Sequence, residues 1–409
     1  MRTLVSNNLS VITEFDRDIW ILLLTRSLRS FSAAILSVSF AIYLSKLGAE
    51  SVHIGLVFTG IALFSSIRSL LEGIIADRLG RKPVLLFTSI LMTIGGLIFV
   101  LTKELGILMV SAVIFCVGGR LPYTPAEQAI LTDKVSSDSR TMAFSVNSFL
   151  ETMMAVFGSL AAVIPEVLQH RGISEIASYR PVFLIFASAG FVSTLFFSMI
   201  KETIQMKEVE DVGENEKITL YERRLLIRWS AVLTLDIIGG SFIMSLLPYW
   251  FYLKFGVGLG QIGTLFGASR LIAAGSYYLG LMMAKRVGTI RATVLSRIPV
   301  VIINYLTPIV PVYSITAYLR GFMSLFSDID IPLRQSYLMG VIKNGRRASA
   351  AGFVAMVSRL TSACAPLLSG YIIQHISINL PFYIAASFQL VSAGLMYYFF
   401  KDIRPPEEE

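Results

Sequence analysis

The residues of this 409-residue chain that could do chemistry are charged side chains inside long apolar runs. The arginines are Arg26, Arg29, Arg68, Arg120, Arg270, Arg297, Arg320, Arg334 and Arg359, and the acids are Glu72, Glu127, Glu151, Asp236, Asp328 and Asp330. A charge at the centre of a bilayer costs roughly 2.5–3.5 kcal/mol on insertion scales. We therefore expect these side chains to face a water-filled cavity or one another. Arg68 and Glu72, four residues apart on one helix face, are expected to pair with each other.

These charged residues differ in how deep they lie within the apolar runs. The residues near the middle of their runs are Arg29, Arg120, Glu151, Asp236, Arg270 and Arg359, and Asp328 lies slightly off-centre. A guanidinium can hold a carboxylate or phosphate through two parallel hydrogen bonds, and an acid in a partly dry cavity can bind and release a proton. These seven residues are the predicted substrate-binding or coupling set, with Asp236 and Glu151 favoured for protons. The alternative is arginine–acid pairing between helices with no role in transport.

Composition explains why the charges are so few. Hydrophobic residues make up 55% of the chain, charged residues 15%, and the mean hydropathy is +0.70. A soluble protein carries about 25% charged residues, so the composition indicates a membrane protein. The net charge of +8 then reflects cytoplasmic Lys and Arg, and no nucleic-acid partner is predicted.

The residues give little support for metal binding, ATP binding or catalysis. Three scattered histidines and two cysteines offer no metal-binding cluster, and there is no phosphate-binding loop for ATP. We predict no catalytic residue, no metal and no cofactor, and therefore no enzyme.

Apolar windows of about 20 residues, the length that crosses a bilayer, predict an all-α membrane protein with twelve transmembrane helices. Their limits are 19–45, 53–76, 83–102, 105–132, 140–165, 181–200, 226–253, 259–284, 289–308, 312–340, 346–373 and 379–400. The polar stretch 201–224 reads as a cytoplasmic linker. It would join an N-terminal six-helix bundle, 1–200, to a C-terminal six-helix bundle, 225–409.

The distribution of Lys and Arg predicts the orientation. With the N-terminus inside, the cytoplasmic segments hold 21 of the 35 basic residues and the external loops hold five. This asymmetry places both termini in the cytoplasm. The N-terminus lacks a signal-peptide pattern, so the first apolar run is expected to remain as a membrane helix. We predict a multi-pass protein of the plasma membrane.

The sequence partly repeats itself after about 208 residues. YLSKLGAESVHIGLVF (43–58) aligns with YLKFGVGLGQIGTLF (252–266), and PAEQAILTDKVSSDSRTMA (125–143) aligns with PLRQSYLMGVIKNGRRASA (332–350). A repeat of six spans keeps the same orientation in the membrane, so the two bundles should be pseudo-symmetric copies. Such parallel repeats are typical of secondary transporters.

A charged turn between the second and third spans carries a family resemblance. The stretch LLEGIIADRLGRKPVLL (70–86) is similar to the signature G-x-L-A-D-R-x-G-R-K-x-x-L of the major facilitator superfamily, with Ile75 in place of the usual Leu. The matching residues include Gly73, Asp77, Arg78, Gly80, Arg81 and Lys82. A decayed copy at 284–295 keeps Arg286 and Gly288.

The resemblance implies a cytoplasmic gate at this turn. Gly80 would allow the tight reversal, and Gly73 would let another helix approach. Asp77 would face the start of the eleventh helix near Arg346, where the helix dipole is positive. The alternative is that the basic residues only set the topology.

The resemblance also implies the function. We expect a monomeric secondary transporter that moves a small, anionic or zwitterionic solute by alternating access, coupled to protons, in a lipid bilayer. The alternatives are a multidrug or hydrophobic-compound exporter, or a non-transporting membrane sensor derived from a transporter.

Overall fold

The structure of the protein is a computed structural model that describes residues 15–119, 125–135, 137–200, 220–330, 333–334 and 360–401. The elements of the described residues are helices. They are α1 Arg17–Lys46, α2 Ser51–Leu79, α3 Arg81–Leu101, α4 Leu105–Phe115, α5 Pro125–Lys134, α6 Ser137–Ala161, α7 Ile164–His170, α8 Arg180–Ser198, α9 Leu220–Met244, α10 Leu247–Phe255, α11 Leu259–Val287, α12 Thr289–Leu306, α13 Tyr313–Ser327, α14 Ala365–His375 and α15 Leu380–Phe400, with a 3₁₀ turn at Ala177–Tyr179 before α8.

Eight helical segments of the described residues are long and apolar enough to cross a membrane. They are Arg17–Lys46, Ser51–Ala76, Arg81–Leu101, Met142–His170, Ala177–Ser198, Arg224–Met244, Thr289–Leu306 and Leu380–Phe400. Each coincides with one of the twelve predicted spans or with most of it. The predicted spans 312–340 and 346–373 are described only in part, as α13 and α14.

Breaks inside predicted spans have local causes. The span 105–132 contains two helices, because α4 ends at Cys116 in a left-handed conformation with φ 53°. The span 226–253 is interrupted between α9 and α10, just before Pro248. Proline lacks the N–H of a helix interior, and its ring clashes with the carbonyl of the preceding turn. The sequence windows did not predict these breaks because they measured hydropathy and ignored backbone geometry.

The chain forms two compact units. The first draws its described residues from Met1–Ala49, Leu63–Met206 and Gly258–Gly267, and the second from Glu50–Ala62, Lys207–Val257 and Ala268–Glu409. Each unit therefore includes a short piece from the other half of the sequence. The predicted linker 201–224 lies mostly outside the described residues, and the predicted bundle boundaries stay a prediction.

Small residues allow close helix packing in the first unit. Gly96 of α3 lies against Ala187 of α8, where an added Cβ would be 2.8 Å from the alanine Cβ. Gly158 of α6 lies against the carbonyl of Phe31 in α1. Helices in lipid gain stability from such close contacts, because tails and side chains are equally apolar.

Two equivalent glycine turns join long helices. Gly80 precedes α3 with φ 95°, and Gly288 precedes α12 with φ 84°. Only glycine adopts this conformation without a steric cost. The two positions are separated by 208 residues, so the repeat predicted from sequence is confirmed at this turn.

Candidate functional site

Ion pairs with largely buried side chains lie among the described residues of the first unit. Arg26 of α1 binds Glu151 of α6 through two hydrogen bonds, Nε to Oε2 at 3.2 Å and Nη2 to Oε1 at 2.7 Å. The Arg26 side chain is 8% exposed, whereas the Glu151 side chain is 34% exposed. The carboxylate of Glu151 is therefore the accessible member of the pair, and the guanidinium of Arg26 is buried.

Arg29 lies one helical turn beyond Arg26 and is fully enclosed. Its Nη2 pairs with the carboxylate of Glu127 in α5, and its Nε donates to the carbonyl of Thr25. The guanidinium also lies 5.5 Å from the ring centroid of Phe197 in α8. Arg29 thus links three helices of the first unit through one planar group.

Arg68 and Glu72 form a third pair, along one face of α2. Arg68 Nε lies 3.0 Å from Glu72 Oε1, so the predicted contact between residues four apart is confirmed. The contact is electrostatic, because neither Glu72 oxygen meets the geometry of a hydrogen bond with a described residue.

Four charges form a buried quartet in the second unit. Asp236 of α9 contacts Arg297 of α12 at 2.8 Å and Arg334 at 2.9 Å. Asp330 contacts the same two arginines at 2.5 Å each. Both aspartates use Oδ2 for these contacts, and their Oδ1 atoms are buried without a hydrogen-bond partner among the described residues. The quartet is electrically neutral, which offsets the cost of burying each charge.

The other members of the predicted set are placed as follows. Arg270 is half-buried on α11. Asp328 is half-buried at the end of α13, near enough to Arg297 to interact electrostatically. Arg120 and Arg359 lie outside the described residues. The structure thus places Glu151 and Arg29 in the first unit and Asp236, Arg270 and Asp328 in the second.

The charged turn after α2 has a structural role. Lys82 Nζ donates to the carbonyls of Ser198 at 2.7 Å and Ile200 at 2.8 Å, at the end of α8. It therefore satisfies helix-terminal carbonyls that lack an intrahelical donor.

The remaining residues of the turn differ in burial. No described atom lies within 4 Å of a Cβ placed at Gly73, and the close approach expected there stays a prediction. Arg78 is exposed and Arg81 is half-buried. The side chain of Asp77 and the region of Arg346 lie outside what the structure describes.

Sequence reasoning missed several partners. Glu127 and Asp330 were not in the predicted set, although they neutralise Arg29 and the quartet arginines. The spacing of Asp330 and Arg334, four residues apart, could have indicated their pair. Pairs between distant helices, such as Arg26 with Glu151, have no local signal.

The sequence of the chain matches a known protein family. The model of the Major Facilitator Superfamily matches residues 22–304 and 230–409. The chain belongs to this superfamily. A major facilitator chain is a multi-pass membrane protein, and the predicted fold class, an all-α protein of twelve transmembrane helices in two pseudo-symmetric six-helix bundles, is confirmed.

Solved structures of transporters share the fold of this major facilitator chain. A bacterial homologue of the human lysosomal transporter Spinster superposes with a TM-score of 0.74 at 14% identity, covering 95% of this chain and 98% of that one. The nucleoside transporter NupG gives 0.72 at 13% identity, covering 94% and 100%. The D-xylose-proton symporter gives 0.71 at 13% identity, covering 93% and 97%.

A curated relative comes from Saccharomyces cerevisiae. The "uncharacterized membrane protein YJR124C" is 21% identical over an alignment 284 residues long, and the match covers 61% of this major facilitator chain. The match spans 63% of the length of the yeast protein.

Proposed function

We propose that this protein is a secondary active transporter of a small anionic or zwitterionic solute, driven by the proton gradient. It would work by alternating access, as the parallel repeat suggests. Membership of the superfamily supports transport of a solute. The arginines within the helices support the charge of that solute, because guanidinium groups bind carboxylates and phosphates well.

The Arg26–Glu151 pair carries this proposal. Arg26 already holds a carboxylate in a two-pronged contact, and this carboxylate is one-third exposed. A solute carboxylate or phosphate could take the same place on the guanidinium. Arg26, with its accessible partner Glu151, is therefore a better binding site than Arg29, whose partner Glu127 is only 2% exposed.

Protons would couple to binding through Glu151. When Glu151 binds a proton, it loses its charge and its hold on Arg26, and the guanidinium becomes free for an anion. The solute and the proton would then travel together. Asp236 is a second candidate, but its Oδ2 contacts two arginines, so protonation there would leave both arginines paired only with Asp330.

Orientation and location are part of the proposal. The excess of Lys and Arg on one side supports cytoplasmic termini at the plasma membrane. We propose a monomer, with the turn of Gly73, Asp77, Arg78, Gly80, Arg81 and Lys82 at its cytoplasmic surface.

Flux measurements on the reconstituted protein test the proposal. Proteoliposomes would be given labelled organic acids, amino acids, phosphate esters and nucleosides, with and without an imposed pH gradient. We expect uptake of an anionic or zwitterionic compound that the gradient accelerates. Uptake that ignores the gradient would rule out proton coupling, and uptake of neutral compounds alone would rule out the anion.

Two variants test whether Glu151 couples uptake to the pH gradient. Glu151→Gln should uncouple uptake from the pH gradient, since it removes the titratable group while keeping a hydrogen-bond acceptor for Arg26. The matched control is Glu175→Gln, which removes an acid paired with Lys46 whose side chain is 51% exposed. A control that loses as much coupling as Glu151→Gln would contradict the assignment.

A further inference from the structure

Arg320 is a buried cation of the second unit for which the described residues provide no acidic partner. It lies on α13 and is 5% exposed. Its Nη1 donates to Asn304 Oδ1 at 2.7 Å and contacts the sulfur of Met323 at 3.6 Å. Both partners are neutral, so the positive charge is not balanced by the described residues.

The other span arginines with described contacts behave differently. Those that pair with an acid are Arg26, Arg29, Arg68, Arg297 and Arg334. Burying a charge without a counter-ion costs several kcal/mol after relaxation. A guanidinium also cannot shed its charge easily, because its affinity for the proton is very high. Arg320 therefore needs an anion that the described side chains do not supply.

The side-chain amides of Asn304 and Gln389 are oriented in a way that strengthens the need of Arg320 for an anion. A guanidinium only donates hydrogen bonds, so Asn304 must turn its oxygen toward Arg320. Its Nδ2 then donates to Gln389 Oε1 of α15 at 2.8 Å, which leaves the Gln389 NH₂ group as a donor. Asn304 and Gln389 are 2% and 5% exposed.

Hydrogen-bonding capacity is thus one-sided in this chain of three residues. Unused donors remain at both ends, namely Arg320 Nε and Nη2, and Gln389 Nε2, none of which bonds to a described residue. The two amide oxygens, Asn304 Oδ1 and Gln389 Oε1, each already accept a hydrogen bond. The group as a whole is positive, and its unused nitrogen atoms can only donate, which is the chemistry that binds an anion.

We propose that Arg320, Asn304 and Gln389 form a binding site for a small anion, such as a halide, a carboxylate or inorganic phosphate. Arg320 supplies the charge, and Asn304 and Gln389 orient the guanidinium from α12 and α15. This site does not depend on the proposed transport function, because binding is measured on the purified protein without any flux.

Thermal unfolding of the purified full-length protein tests the site. Chloride, acetate or phosphate would replace a bulky sulfonate at constant ionic strength, and the unfolding midpoint would be followed. We expect at least one of the three to raise the midpoint in a saturable manner, because a ligand that binds only the folded state stabilises it. The three arms distinguish a halide, a carboxylate and a phosphate site.

Arg320→Gln should weaken the anion dependence at least about tenfold, since it removes the charge-assisted hydrogen bonds. The matched control is Arg228→Gln in the same unit, where an exposed arginine lies over the ring of Phe399. The control loses the same charge and should keep the full response.

Asn304→Asp provides a second test that does not remove the arginine. The new carboxylate would neutralise Arg320 directly, and Gln389 could turn its NH₂ group toward it. We expect this variant to be more stable than the wild type in sulfonate alone, and to show no response to added anions. The variant also decides the question if Arg320→Gln does not fold.

Each outcome of these unfolding experiments either supports or overturns the anion site. A saturable response of the wild type that both Arg320→Gln and Asn304→Asp lose would support the site. The absence of any saturable response in the wild type would overturn it. A response that persists in either variant, or that Arg228→Gln loses equally, would also overturn it.

Discussion

Glu166 Oε2 accepts a hydrogen bond from the backbone N–H of Gly260 at 2.8 Å, in the first turn of α11. The same relationship occurs once more, 208 residues away for each partner, where Gln374 Oε1 accepts from the N–H of Val52 at 3.0 Å in the first turn of α2. First-turn N–H groups have no acceptor within their own helix. The repeat therefore extends from sequence to individual hydrogen bonds, one in each compact unit.

The bond from Glu166 should contribute to stability. Hydrogen bonds to charged groups contribute about 1.5–3 kcal/mol, and a carboxylate at a helix N-terminus gains further from the dipole. We expect Glu166→Ala to lower the free energy of unfolding by about 2 kcal/mol, and Glu166→Gln to lower it by less, since the amide oxygen still accepts. Denaturant unfolding in detergent measures both, with Glu175→Ala as the exposed control. Equal losses in Glu166→Ala and Glu175→Ala would contradict the assignment.

Gly55 and Gly263, again 208 residues apart, should not tolerate a side chain. A Cβ at Gly55 would lie 2.4 Å from the carbonyl oxygen of Pro366, and a Cβ at Gly263 would lie 2.2 Å from that of Ser159. Because backbone atoms of helices cannot move aside, Gly55→Ala and Gly263→Ala should each destabilise by about 1–3 kcal/mol.

Gly240 on α9 is the control for these glycines, since no described atom lies within 4 Å of its added Cβ. Gly240→Ala should be neutral or stabilise by up to about 1 kcal/mol through helix propensity. Thermal unfolding of the three variants compares them. The prediction fails if Gly240→Ala is as harmful as the other two.

The buried quartet should respond to charge balance. Asp236→Asn leaves Arg297 and Arg334 with Asp330 alone, and breaking a buried pair costs about 3–5 kcal/mol. Adding Arg334→Gln restores neutrality, because Asp330 and Arg297 remain paired. The double variant should therefore be destabilised by less than the sum of its single variants, by about 0.5–3 kcal/mol. A double-mutant cycle measures this coupling, and strict additivity would show that the charges do not interact.

Lys82 should stabilise the end of α8. Lys82→Met keeps the apolar stem and removes both hydrogen bonds to the carbonyls of Ser198 and Ile200, which should cost about 1–2 kcal/mol. Arg78→Met, an exposed basic residue of the same turn, should cost much less. Unfolding of the two variants compares them. If Arg78→Met matches Lys82→Met, the loss comes from the charge of the turn and the helix end is not responsible.

Local patterns in the sequence were sufficient for the secondary structure and for some contacts. Apolar length predicted the helices, and Gly80 predicted a tight turn, which the structure forms with φ 95°. The four-residue spacing of Arg68 and Glu72 predicted their pair, because such residues share a helix face. The breaks at Cys116 and before Pro248 were missed, since hydropathy does not record backbone conformation.

The sequence by itself determined that the chain is a duplicated, helical membrane protein whose buried charges need partners. This follows from the cost of charge in lipid and from the length of a helix that crosses it. Only the tertiary structure decided which partners meet: Glu151 with Arg26, Asp236 with Arg297 and Arg334, and none of the described acids with Arg320. Such pairs join helices far apart in sequence, and their formation depends on packing distances that no local pattern contains.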